Sequence, residues 1–164
     1  LRLTELSLLL PELELAILVV LLLFLGLFAK SVVHYAYFLG FCHILWVLAT
    51  DTNLDFNPSI PVSLFESNLG LDKNTHIFRW LWAVGGLGIY FLIQNSKKIQ
   101  QLNRPVEVYV LVTGMWVGLA FMVVSRHLMM LFLSLEIVSI SAYILVHVCK
   151  EKQSAEASMK YMLY

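Results

Sequence analysis

Residues 127–149 read HLMMLFLSLEIVSISAYILVHVC, and Glu136 is the single acidic residue among them. The run is long enough to cross a bilayer as a helix, which takes about 20 predominantly apolar residues. Counted from Leu128, eight residues at about 1.5 Å each put the carboxyl group about 12 Å into the span. An ionised side chain at that depth costs at least ~2.5 kcal/mol, so such a residue faces protein or water and marks a functional position. Three polar side chains share its face. Ser139, Tyr143 and His147 follow Glu136 at the offsets i+3, i+7 and i+11, which stack on one side of a helix. A desolvated glutamate and an imidazole can both titrate near neutral pH, so the stripe has the chemistry of a proton relay. Hydrogen bonds between packed helices are the plainer role for Ser139 and Tyr143. Glu136 reads as functional, because packing rarely needs an ionisable group.

The rest of the chain has the same character. Of its 164 residues, 60% are hydrophobic and 13% charged, about half the ~25% charged fraction of soluble domains; mean hydropathy is +0.81. The apolar residues fall in continuous blocks rather than alternating with period two, which predicts helices and not a β-barrel. The blocks predict an all-α, multi-spanning transmembrane bundle forming a single domain over residues 1–164. Complete spans are expected near 13–29, 31–50, 77–94, 106–124 and 128–149, with a sixth starting at 154. The first block has no strong basic flank and no small-residue cleavage site, so it is read as a retained helix rather than a signal peptide. Zero net charge argues against nucleic acid as a partner. Cys42 and Cys149 lie in apolar blocks without metal-ligand spacing, so no metal site is expected. The absence of HExxH and of a phosphate-binding loop disfavours hydrolytic and nucleotide chemistry.

Between the second and third spans, residues 51–76 carry Asp51, Asp55, Glu66 and Asp72 against Lys73, with Pro58 and Pro61 as breakers. They read as a long acidic loop. With the N-terminus outside, Lys30, Lys97, Lys98, Arg104, Lys150 and Lys152 fall on the inner side and Arg2, Lys73, Arg79 and Arg126 on the outer. The excess of basic residues inside selects that orientation. Gly114 and Gly118 form a GxxxG in the fourth span, whose expected role is close helix packing. In the sixth segment Glu156 and Lys160 are spaced for an i,i+4 ion pair, although Lys160 also sits where a charge entering the membrane could act. His43 is the deeper of two histidines in the second span; a packed core histidine is its plainer role, a proton carrier the sharper one. Glu107 reads as an interfacial anchor.

Three stretches carry a family resemblance. LFLSLEIVSISAYILV (131–146), the basic CKEKQ (149–153) and SAEASMKYMLY (154–164) are together similar to the proton-pumping, antiporter-like membrane subunits of respiratory complex I, NADH:quinone oxidoreductase. LPELELAILV (10–19) and RPVEVYVLVTGMWVGLAFMV (104–123) look like subunit N of that group. The resemblance implies a fold built from two inverted five-helix repeats, of which this chain would be the amino-terminal part. It implies a role in proton translocation coupled to quinone reduction, as a non-redox subunit with no complete catalytic site in this chain. Glu136 stands at the place of the family's fifth-helix glutamate and Lys160 at the lysine of EAxxKY; Ser139, Tyr143, His147 and His43 would be relay candidates. No cofactor is expected in this chain. NADH, FMN, iron–sulfur clusters and quinone are expected in partner subunits, the partners being other membrane and peripheral subunits of complex I, the bilayer and protons. The implied location is the bacterial inner membrane, with the mitochondrial inner membrane as the alternative. Competing readings are a subunit of a multi-subunit cation/proton antiporter and a structural membrane scaffold whose acid only locks helices together.

Overall fold

A computed structural model of the chain describes residues 8–28, 38, 40–46, 49, 62–65, 68–102, 105–148 and 152–163. Helix α1 spans Leu10–Phe28. It starts before the expected residue 13 because Pro11 fits in a first turn, where a missing N–H leaves no hydrogen bond unmade. Of the predicted second span, residues 40–46 are helical; most of its remainder lies outside the described residues, as does the start of the long acidic loop.

The end of that loop is not irregular. Strands β1 (Val62–Leu64) and β2 (Leu69–Leu71) form an antiparallel hairpin with Val62 opposite Leu71 and Leu64 opposite Leu69. The turn is closed by the Asn68 N–H donating to the Phe65 carbonyl at 3.1 Å, with Phe65 in the left-handed region at φ 49°. Leu64, Leu69 and Leu71 are buried in one cluster with Leu9 and Val124, so the hairpin covers one end of the bundle. Three-residue strands lack the length for a readable alternation, and the turn has no Asn-Gly pair; hence its appearance as plain loop in the sequence.

Helix α2 (Lys73–Asn95) likewise begins earlier than the expected residue 77. Asp72 and Thr75 form a capping box: the Thr75 N–H donates to Asp72 Oδ1 at 3.0 Å and the Asp72 N–H to Thr75 Oγ1 at 3.2 Å. Two orphan donors are thereby satisfied, which lets the helix start outside the apolar block. The short α3 (Lys97–Gln100) follows, then α4 (Val106–Val124), α5 (Leu128–His147) and α6 (Lys152–Leu163). Among the described residues, three helices, Asn74–Asn95, Val106–Val124 and Leu128–His147, are long and apolar enough to cross a membrane.

Helix α4 is the hub, packing on α1, α2 and α5, while α6 packs on α5. The GxxxG makes the closest approach. A Cβ added to Gly118 would stand 2.6 Å from Val138 Cγ2 and 2.9 Å from the Ser134 carbonyl oxygen, so α5 rests on the bare backbone of α4. On the α2 side the filling is aromatic. Tyr90 stacks on Trp116 at 5.1 Å and meets Tyr109 edge-on at 5.2 Å. Its hydroxyl shares a 2.7 Å hydrogen bond with Thr113 Oγ1, which donates to the Tyr109 carbonyl at 2.6 Å. Gly40 lies directly under the Tyr90 ring, with no room for a side chain.

Candidate functional site

Helix α5 has two faces. Ser134, Val138 and Ser141 approach α4 at Gly118 and Gly114. At about 100° per residue, Glu136, Ser139, Tyr143 and His147 fall on the opposite side. The stripe expected from the sequence therefore exists as a continuous face turned away from α4. Glu136 and His147 are exposed, Ser139 and Tyr143 half-buried. Among the described residues Glu136 has neither a hydrogen bond nor an ion pair.

The half-burial of Tyr143 comes from α6, which folds back along the same face. Ser158 Oγ donates to the Tyr143 carbonyl at 3.0 Å, and the rings of Tyr143 and Tyr161 meet edge-on at 5.2 Å. Lys160 does not reach Glu136. Its ammonium pairs with Glu156 at 2.7 Å, one turn back on its own helix, and both side chains are about two-thirds exposed. Since α6 crosses α5 at Tyr143, seven residues beyond Glu136, Lys160 lies about 10 Å further along the helix axis. Lys160 thus pairs with Glu156 and not with Glu136.

His43 is not joined to this stripe. Its Nε2 is buried without a hydrogen-bond partner among the described residues, and one turn on, Trp46 Nε1 donates to Glu14 Oε1 at 3.2 Å. Glu107 lies in a groove bounded by Leu22, Gly26, Val110 and Ile144, where α1, α4 and α5 meet.

Sequence reasoning missed a buried carboxylate, Glu12. Glu12 and Arg79 form a two-point ion pair, Arg79 Nε donating to Glu12 Oε1 at 2.9 Å and Nη2 to Oε2 at 2.8 Å. Both side chains are 1% exposed, and Nη2 also donates to the Leu8 carbonyl at 3.1 Å. Arg79, counted above as a basic residue of the outer flank, is instead a neutralised interior group. A sign was present: one acid and one base, each just inside the start of an apolar block, in two helices that run in the same direction.

The apolar helices are those of a transmembrane bundle, and comparison with known proteins adds a family likeness. Residues 125–164 match the family described as NADH:quinone oxidoreductase/Mrp antiporter, TM. The chain is 31% identical over 124 residues to an NADH-quinone oxidoreductase subunit N 2 of Sorangium cellulosum, covering 73% of this chain and 23% of the relative. A subunit N 2 of Chloroherpeton thalassium is 36% identical over 110 residues, 63% of this chain and 21% of its own length. A subunit N of Dehalococcoides mccartyi is 30% identical over 159 residues, 96% of this chain and 32% of its own. Over the matched residues the chain is similar to these subunit N proteins. It spans between a fifth and a third of the length of these curated relatives. No solved structure matches it.

Proposed function

We propose that the chain works within a proton-translocating membrane subunit of NADH:quinone oxidoreductase, in a bacterial inner membrane, as a non-redox element of the enzyme. NADH, FMN, iron–sulfur clusters and quinone belong on this reading to partner subunits, whose redox steps drive proton movement through the membrane part. The observation that carries it is Glu136: a carboxylate with no partner among the described residues, within a 20-residue apolar helix, on the face away from the neighbouring α4. A charge at membrane depth is rare and marks a functional position. Lys160, paired with Glu156 on the helix that packs against Tyr143, is the cation proposed to answer it. If Glu156 loses its hold, the ammonium becomes free to respond to Glu136 along a hydrated path past Tyr143.

The test is proton uptake per NADH oxidised in membrane vesicles that contain the whole assembly. Glu136→Gln keeps size and hydrogen-bonding capacity but cannot carry charge, and it should lower pumping severalfold with assembly near wild type. Wild-type pumping by that variant would overturn the role. A second reading draws on the matched family, whose description also covers Mrp antiporters: sodium-dependent proton exchange without NADH-driven pumping would select it.

A further inference from the structure

Helix α1 is apolar on every side. From Leu13 to Phe28 its sequence is LELAILVVLLLFLGLF, with Glu14 the one charged residue. A helix of that composition buries similar side chains whichever way it is turned or slid. Lipid removes the remaining bias, because hydrocarbon is as apolar as leucine and no hydrophobic force drives one helix onto another. Dispersion contacts alone therefore offer α1 several nearly equivalent seats.

Glu12 breaks that degeneracy. Both its oxygens accept from the Arg79 fork at 2.8–2.9 Å, and a bidentate pair of this kind demands one distance and one orientation. A slip of one residue moves the carboxylate by about 1.5 Å and turns it by about 100°, which breaks both hydrogen bonds. We propose that the Glu12–Arg79 pair is the register determinant of the bundle: it selects the axial and rotational position at which α1 docks on α2 and α4. Buried ion pairs often add no net stability over well-packed apolar residues, but a single buried polar contact is an attested way to fix helix register. The pair joins residues 67 positions apart, so α1 takes its seat only when α2 is in the membrane to receive it.

Register can be read at the far end of α1. A Cβ on Gly26 would lie 3.8 Å from the Val106 Cβ, the separation that a disulfide spans. Gly26 is fourteen residues, about 21 Å, from Glu12. The experiment places Gly26→Cys and Val106→Cys in the full-length subunit within its native assembly, with Cys42 and Cys149 replaced by serine, and measures oxidative cross-linking in membranes. Near-complete cross-linking is expected with the ion pair intact. The apolar variant Glu12→Leu/Arg79→Met strands no charge; it should accumulate normally and cross-link at least fivefold less. Cross-linking equal to the parent would overturn the proposal, since packing alone would then set the register. Failure of the apolar variant to accumulate would also overturn it, because the pair would then hold the bundle together rather than choose its arrangement. A parent that does not cross-link would contradict the geometry on which the inference stands.

Discussion

Glu12 stands at the start of an apolar helix and Glu136 well inside one, and their surroundings differ. Glu12 has the Arg79 guanidinium on both oxygens and is closed off from solvent. Glu136 is exposed and has no partner among the described residues; under the proposed function it is the carboxylate available to respond to an approaching charge. Their substitutions should fail differently. Glu12→Gln strands a buried guanidinium at a cost of about 3–5 kcal/mol, and the expected outcome is loss of assembled protein on native gels, not a selective defect in pumping. Glu136→Gln should show the reverse: normal assembly and severalfold lower proton uptake per NADH, with Glu136→Asp between the two, because charge survives while reach shortens by one methylene. Only one of these acids was legible in the sequence. Glu136 shows itself by depth, alone in a run of apolar residues. Glu12 sits beside Pro11 at a helix start, where an acid is unremarkable; its role depends on a partner 67 residues away, which a single chain does not reveal. The i,i+4 spacing of Glu156 and Lys160 did announce their pair, because both ends lie on one helix.

Helices α4 and α5 pack through two glycines that differ in what faces them. At Gly118 an added Cβ meets the Ser134 carbonyl of the α5 backbone at 2.9 Å, whereas at Gly114 it meets the Ser141 hydroxyl at 3.1 Å. A backbone cannot move without moving the helix; a hydroxyl can rotate. Gly118→Ala should therefore destabilise by about 1–3 kcal/mol, with Gly114→Ala clearly milder, as measured by thermal inactivation of the solubilised assembly. The GxxxG spacing made this interface legible. The start of α2 was not, because its block of apolar residues begins after its cap. Asp72 supplies that cap. The Thr75 backbone N–H, above all, holds its carboxyl below the usual carboxylate range, with the Thr75 hydroxyl and Arg126 adding to this against slight desolvation. A depressed pKa contributes stability that is present above the unfolded carboxylate value of about 3.9 and lost as pH falls through the folded value. Amide exchange at Thr75, corrected for its intrinsic pH dependence, should show constant protection from pH 7 down to about that value and weaken below it. Asp72→Asn, which keeps an acceptor oxygen but no charge, should show no such transition.

At the scale of the whole molecule, the fold separates two ends with different chemistry. One is closed by the β1–β2 hairpin, pinned to the α4–α5 junction by the Arg126 N–H donating to the Asn68 carbonyl at 2.9 Å and by the Arg126–Asp72 ion pair at 3.2 Å. The other carries exposed Lys97 and Lys98 on α3. The pairing of Arg79 with Glu12 removes one base from the count on the hairpin side, so the asymmetry of free basic charge is larger than the sequence count. Basic residues are retained on the inner side during insertion; the hairpin end should therefore face outward and α3 inward. The class of fold was legible because continuous apolar blocks admit few other structures. The covered end was not, since its hairpin is shaped by contacts with Leu9 and Val124 rather than by its own pattern. Asn68 and Gln101 are exposed at the two ends and suit cysteine labelling with a membrane-impermeant reagent in cells carrying the full assembly. Asn68→Cys should react once the outer side is accessible, and Gln101→Cys only after the inner side is opened. Labelling of Gln101→Cys from the outside would invert the topology. It would also place the start of α5, and hence Glu136, nearer the inner than the outer surface, so that proton entry to the stripe would have to be sought from the other side.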